Sequence, residues 1–249
     1  MSPKQYAVIF LVFLFVHRGS AETFVLEQGV DGFTGFRDTT LFEDLVNNAG
    51  GGIDGIFSGT IRTGFLRRAL IKIDLTSIPA NAEITAVRLE MHVERSGGNF
   101  GGVDYGLHRV ATAWGEGMAA IPGDPGGVGT VAAVGDATWN EAFFMTNLWT
   151  TPGGDFEVTS SATARAGQQD SVVVWEGAGL IADVQAWLVD PESNHGWAIV
   201  ATTEGAPQRT KKFTSSEGTT MRPRLTIITS GGEGEGEGEG EGEGEGEGE

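Results

Sequence analysis

The segment from Arg67 to Glu94, RRALIKIDLTSIPANAEITAVRLEMHVE, constrains this chain more than any other stretch. Ile71, Ile73 and Leu75 alternate with Lys72 and Asp74, the period-two signature of a half-buried strand. A connector from Thr76 to Ala82 carries Pro79 and breaks the run. In the second run Val87, Leu89, Met91 and Val93 share one face, and Arg88, Glu90, His92 and Glu94 the other. Ile84 and Ala86 are out of phase with that run, which predicts a bulge near Ala86–Val87. The two runs read as a central hairpin. Strands with one apolar face need a second sheet to cover them, so the expectation is a β-sandwich.

Neither end of the 249 residues reads as part of that fold. Lys4 precedes an apolar run from Tyr6 to Val16, and HRGSA follows with small residues at Gly19 and Ala21. This is the pattern of a secretory signal peptide over 1–21, too short for a bilayer-spanning helix of ~20 residues. From Gly231 onward the chain alternates glycine with nine glutamates. Like charges at every second position repel, and glycine favours no regular structure, so 231–249 reads as an extended linker or tail. The repeat ends without a turn signal, which leaves room for a further domain or a surface anchor beyond it.

Residues 22–230 are long enough for one sandwich. Setting aside Lys4, Arg18 and the tail glutamates leaves 14 basic and 25 acidic side chains, a net charge of −11. Such a surface repels nucleic acid and anionic membranes. The chain has no cysteine, so no disulfide staples a fold destined for an oxidising, extracellular setting.

Along the chain, Phe24 to Leu26 reads as a first strand, and Gly29 to Gly64 as short strands and long loops. Asp31, Asp38 and Asp54 fall in this glycine-rich stretch. Oxygen-rich loops at a sandwich end can hold calcium, so these three are the candidate metal ligands, with solvated loop acids as the ordinary alternative. A structural calcium ion is the one cofactor the sequence suggests. Val103 to Val110 forms a further strand, and residues 111 to 170 lose the periodic pattern. Strand returns at Ser171 to Trp175. Leu180, Ile181, Val184, Trp187 and Leu188 then fall on one helical stripe over about 179–189, ended by Asp190-Pro191. Strands at Trp197 to Thr202, Lys211 to Thr214 and Arg224 to Thr229 complete an all-β, jelly-roll-like β-sandwich with one short packed helix.

Several pieces, in order over nearly the whole span, carry a family likeness: Asp38-Thr39-Thr40-Leu41, RRALIKIDLTSIPANAEI, LHRVATAWGEG, GDATW, WTTPGGDF, ADVQAWL with PESNHGWAI, and KKFTSSEGTTMRPRLTI. The chain resembles the DNRLRE-domain (disaggregatase-related) family, to which some alginate-binding carbohydrate-binding modules are similar. The resemblance implies a secreted, non-catalytic sandwich found beside polysaccharide-degrading enzymes or in surface proteins. The closing motif departs at Ser216, where the family often has arginine before the glutamate.

Three functional readings follow. Sugars stack their C–H faces on aromatic rings and offer hydroxyls to carboxylates and amides. That makes Trp114, Glu116, Trp139, Asn140, Trp149 and Asp155, in the irregular region, the candidate polysaccharide site. The structural alternative has those rings wedging loops onto the sandwich, as a matrix or adhesive domain without a sugar site. Trp175, Trp187 and Trp197 lie on regular elements and read as core. An enzyme would need two flanking carboxylates, such as Glu116 and Asp155, or a tyrosine–histidine base and acid, for which Tyr105 faces away from His108 in an ordinary strand. Neither GxSxG, HExxH nor a phosphate loop occurs, so the expectation is a non-enzyme.

Overall fold

A computed structural model describes residues 20–98, 102–121 and 127–231. The signal-peptide reading of 1–21 therefore lies almost wholly outside the described residues, and so does the tail from 232 onward.

Strands dominate. In chain order they are β1 (Thr23–Glu27), β2 (Phe36–Phe42), β3 (Asn48–Ala49), β4 (Gly55–Thr60), β5 (Leu66–Ile73), β6 (Ile84–Ser96) and β7 (Val103–Arg109). Short strands β8 (Thr130–Val131), β9 (Glu141–Phe143) and β10 (Asn147–Leu148) follow, then β11 (Ala162–Ala166) and β12 (Val172–Glu176). Helix α1 (Ala178–Val189) precedes β13 (Trp197–Ala201), β14 (Lys211–Thr214) and β15 (Arg224–Thr229). Eleven of these strands form one curled antiparallel sheet that folds back into two layers. One layer is β1-β15-β6-β12 and the other is β2-β5-β13-β7-β11, while β4 and β14 carry the hydrogen bonding between them. This is the expected all-β sandwich with one short helix.

The central segment holds as two strands but not as a hairpin. β5 pairs with β2, β4 and β13, whereas β6 pairs with β12, β14 and β15. The connector instead arches from one layer to the other, so both apolar faces meet across the core. The bulge lies slightly earlier than expected: Ile228 sits opposite Ala86 and Thr229 opposite Ile84, leaving Thr85 unpaired. That extra residue lets Ile84 and Val87 both face inward.

The main core packs Ile71, Leu89, Met91, Leu107, Ile199 and Ile227 between the layers. Burial of each such side chain stabilises the fold by about 1.5–3 kcal/mol. Trp175 is fully buried and donates its indole N–H to the Tyr105 carbonyl at 2.8 Å. Helix α1 spans both layers. It lies against β6, its Trp187 ring packs 4.7 Å from that of Trp197, and Asp183 accepts the Trp197 N–H at 2.7 Å.

A second cluster covers the outer face of the β2-β5-β13-β7 layer. Leu41, Leu70, Ala198 and Val200 point outward there and meet Trp139, Trp149 and Ala142 of the irregular region. With both faces covered, β13 is buried at every position. The described parts of 111–121 and 127–156 therefore form a third layer.

Candidate functional site

The residues nominated from sequence as a sugar platform do not form one. Trp139 and Trp149 are 7% and 5% exposed, because the outer face of the second layer needs their rings as its cover. Trp149 donates its indole N–H to the Thr138 carbonyl at 2.9 Å, and Arg68 stands 5.3 Å over the Trp139 ring. Trp114 is half-buried against the same cluster and donates to the His195 carbonyl at 2.8 Å. Asp155 accepts the backbone N–H groups of Thr150 and Thr151, both at 2.8 Å, which pins a turn. Asn140 is half-buried, and its carbonyl accepts the Trp149 N–H.

The proposed calcium ligands also separate. Asp31 is exposed in a turn, Asp54 binds Lys212 at 2.7 Å, and Asp38 is fully buried. Among the described residues no group of three or more His, Cys, Asp or Glu side chains is arranged to hold a metal ion.

Glu116 belongs to a different constellation. Strand β2 is an edge strand that pairs with β5 alone, so the Asp38 N–H faces away from the ladder. The Glu116 carboxylate accepts that N–H at 2.9 Å and lies 3.3 Å from Arg37 through its other oxygen. Asp38 accepts the Ser216 N–H at 2.8 Å through Oδ2, while its buried Oδ1 has no partner. Glu217, next in the chain, accepts from the Ser216 hydroxyl. Burial pushes all three carboxyls up, Glu116 to about 7, and the charge of Glu217 pushes Asp38 and Glu116 further. Burial thus favours the protonated form of each carboxyl. The cluster ties the loop carrying Glu116 to strand β2, and the fully buried Asp38 cannot touch a dissolved substrate. Glu116, Asp155 and His108 share no hydrogen bond with one another: His108 binds the Glu157 carbonyl at 2.9 Å.

A groove of about 910 Å³ lies at the end of the sandwich where the connector after β5 crosses between layers. Three segments build it. The turn after β1 brings Phe33, with glycines at positive φ in positions 29 and 32. The connector is held by an Asp74 carboxylate accepting the Thr76 N–H at 2.8 Å, with Leu75 and Ile78 anchored in the core. A 3₁₀ turn, Pro191–Ser193, follows α1. Phe33, Leu75 and Trp187 give the groove apolar wall, and Arg37, Lys72 and Glu192 give it a charged rim. Trp187 is 2% exposed, and its indole N–H has no partner among the described residues. Nearby, burial and then the charge of Lys72 push His195 down, which favours its neutral form.

Sequence reasoning missed this groove because its residues come from three separate loops. The available signal was Phe33, an aromatic residue set among glycine and threonine where no strand pattern calls for one. The chain matches no protein-family model and no characterised protein.

Proposed function

We propose that this chain is a secreted, non-catalytic sandwich that binds extracellular polysaccharide, and that the groove beside Phe33 and Trp187 is where it does so. The observation that carries the reading is the groove's composition. The groove offers aromatic and aliphatic wall for the C–H faces of a sugar and a rim of groups that bind hydroxyls. Binding without cleavage fits a groove rim whose acids, Asp74 and Glu192, are not members of the Asp38, Glu116 and Glu217 cluster. The resemblance to the DNRLRE-domain family points the same way.

The competing reading, a structural or adhesive domain, is favoured by the burial of Trp139 and Trp149. Affinity electrophoresis through gels containing neutral, uronate-bearing and sulfated polysaccharides separates the two, run with and without chelator. Retention that drops in Phe33→Ala and Glu192→Gln supports the groove. Glu192 is exposed on the rim, so the second variant tests recognition with little cost to the core. Absence of retention on every gel sinks the sugar reading and leaves the structural one.

A further inference from the structure

At the other end of β5 from the groove, a smaller pocket of about 220 Å³ opens where the β4–β5 turn, the end of β6 and the start of β14 meet. Its wall combines Phe57, Arg62, Arg95, Gln208, Thr210 and Lys212. Three cationic side chains around so small a space is unusual in a chain of net charge −18. Two carboxylates neutralise one of them: Lys212 reaches Asp54 at 2.7 Å and Glu94 at 2.8 Å. The other two have no acidic partner among the described residues. Arg95, the cross-strand neighbour of Lys212, stands 5.7 Å over the Phe57 ring, and Arg62 is exposed at the rim. By contrast Arg37, Arg67, Arg68, Arg88, Arg165 and Arg224 each have a carboxylate within ion-pair distance.

A second and independent observation marks the same pocket. Thr210 lines it, and its buried hydroxyl has no hydrogen-bond partner among the described residues. A buried hydroxyl left unsatisfied is costly, so such groups mark places where a ligand or water completes the set. Stacking on Phe57 holds one face of the Arg95 guanidinium and leaves its N–H edges for an acceptor. Guanidinium groups, a hydroxyl and the Gln208 amide all line the pocket, a donor set of the kind that binds oxyanions.

We propose that this pocket is a binding site for a tetrahedral oxyanion, a sulfate or phosphate group, held by Arg62 and Arg95 and by the Thr210 hydroxyl. The group could arrive as a free ion or as an ester on a larger molecule; the recognising chemistry is the same. The site lies apart from the groove, and its test does not depend on sugar binding there.

The experiment is calorimetric titration of the full chain with sodium sulfate and with sodium phosphate, against sodium chloride at equal ionic strength. Saturable binding of sulfate or phosphate beyond chloride is the expected result. Arg62→Gln and Arg95→Gln should each weaken it by about tenfold, the scale of one charge-assisted hydrogen bond. Thr210→Val is the sharper variant. Replacing an unpartnered buried hydroxyl by a methyl should leave the ligand-free melting temperature equal or higher, yet weaken oxyanion binding. A response identical to chloride overturns the proposal. So does oxyanion binding that all three variants leave unchanged. A parallel titration with a sulfated polysaccharide and its desulfated form identifies the source: tighter binding of the sulfated form than of free sulfate assigns an ester, and equal binding assigns the free ion.

Discussion

Replacing Glu116 by glutamine removes a charge and keeps an oxygen where the Asp38 N–H needs one. The Glu116 carboxyl is raised from its ordinary 4.5 to about 7, chiefly by burial. A displacement of that size corresponds to roughly 3 kcal/mol against the ionised form at pH 8. Water reaches the 17% of the side chain that remains open, and Arg37 offers a partial counter-charge. Screening reduces the usable figure to about 1–2 kcal/mol. The sign follows from linkage. The folded chain binds this proton more tightly than the unfolded chain does, so the Glu116 term costs stability as pH rises from 4.5 to about 7 and is constant above that. Glu116→Gln should therefore match the wild type near pH 4.5 and exceed it by about 1–2 kcal/mol at pH 8, the gap opening between the two. Urea unfolding followed by tryptophan fluorescence reads this as a midpoint shift of roughly 0.5 M at pH 8. Glu116→Ala is the control. It leaves the Asp38 N–H without an acceptor, which costs about 1–2 kcal/mol and offsets the gain from removing the charge. A glutamine variant no more stable than wild type at pH 8, or a gap that ignores pH, would refute the reasoning.

Three more outcomes rest on the same coordinates. Asp38→Asn should also stabilise the fold at neutral pH, since it neutralises a fully buried group that Glu217 repels, and its pH profile should flatten in the same direction. Trp149→Ala should cost about 3–5 kcal/mol, because the ring is buried between the irregular region and the outer face of the second layer; a change under 1 kcal/mol in a denaturation curve would contradict the third-layer assignment. Gly196→Ala should be severely destabilising, seen as a lower melting temperature, because φ there is +73° and a Cβ would collide with the Ile71 carbonyl oxygen.

The framework was readable where one face of a strand is wet. Leu89, Met91 and Val93 alternate with charged residues, and that alternation marks β6 in the sequence. It failed where both faces are covered. Strand β2 is buried at six of its seven positions, and Asp38, Thr39 and Thr40 sit where periodicity expects apolar residues, so it read as loop. The same cause misled the reading of Trp139 and Trp149. Their neighbours in sequence are glycines and polar residues, while their neighbours in space are Leu41, Leu70 and Val200, a pairing no local pattern reveals. The hairpin error is of another kind. A connector with one proline fits a tight return or an arch between layers equally well, and only the pairing partners of β6 decide. The carboxylate trio unites residues from β2, the irregular region and the loop after β14, which chain spacing does not encode.

Strand β1 closes the sheet against β15, with Thr23 opposite Ile228 and Glu27 opposite Arg224. The chain therefore enters and leaves the sandwich at neighbouring points on one edge. Tension applied through both leads would load the hydrogen bonds of that pair one after another, as in a zipper, rather than all at once. A sandwich threaded this way yields at low force when pulled by its ends, and its mechanical weak point is β1 rather than the core.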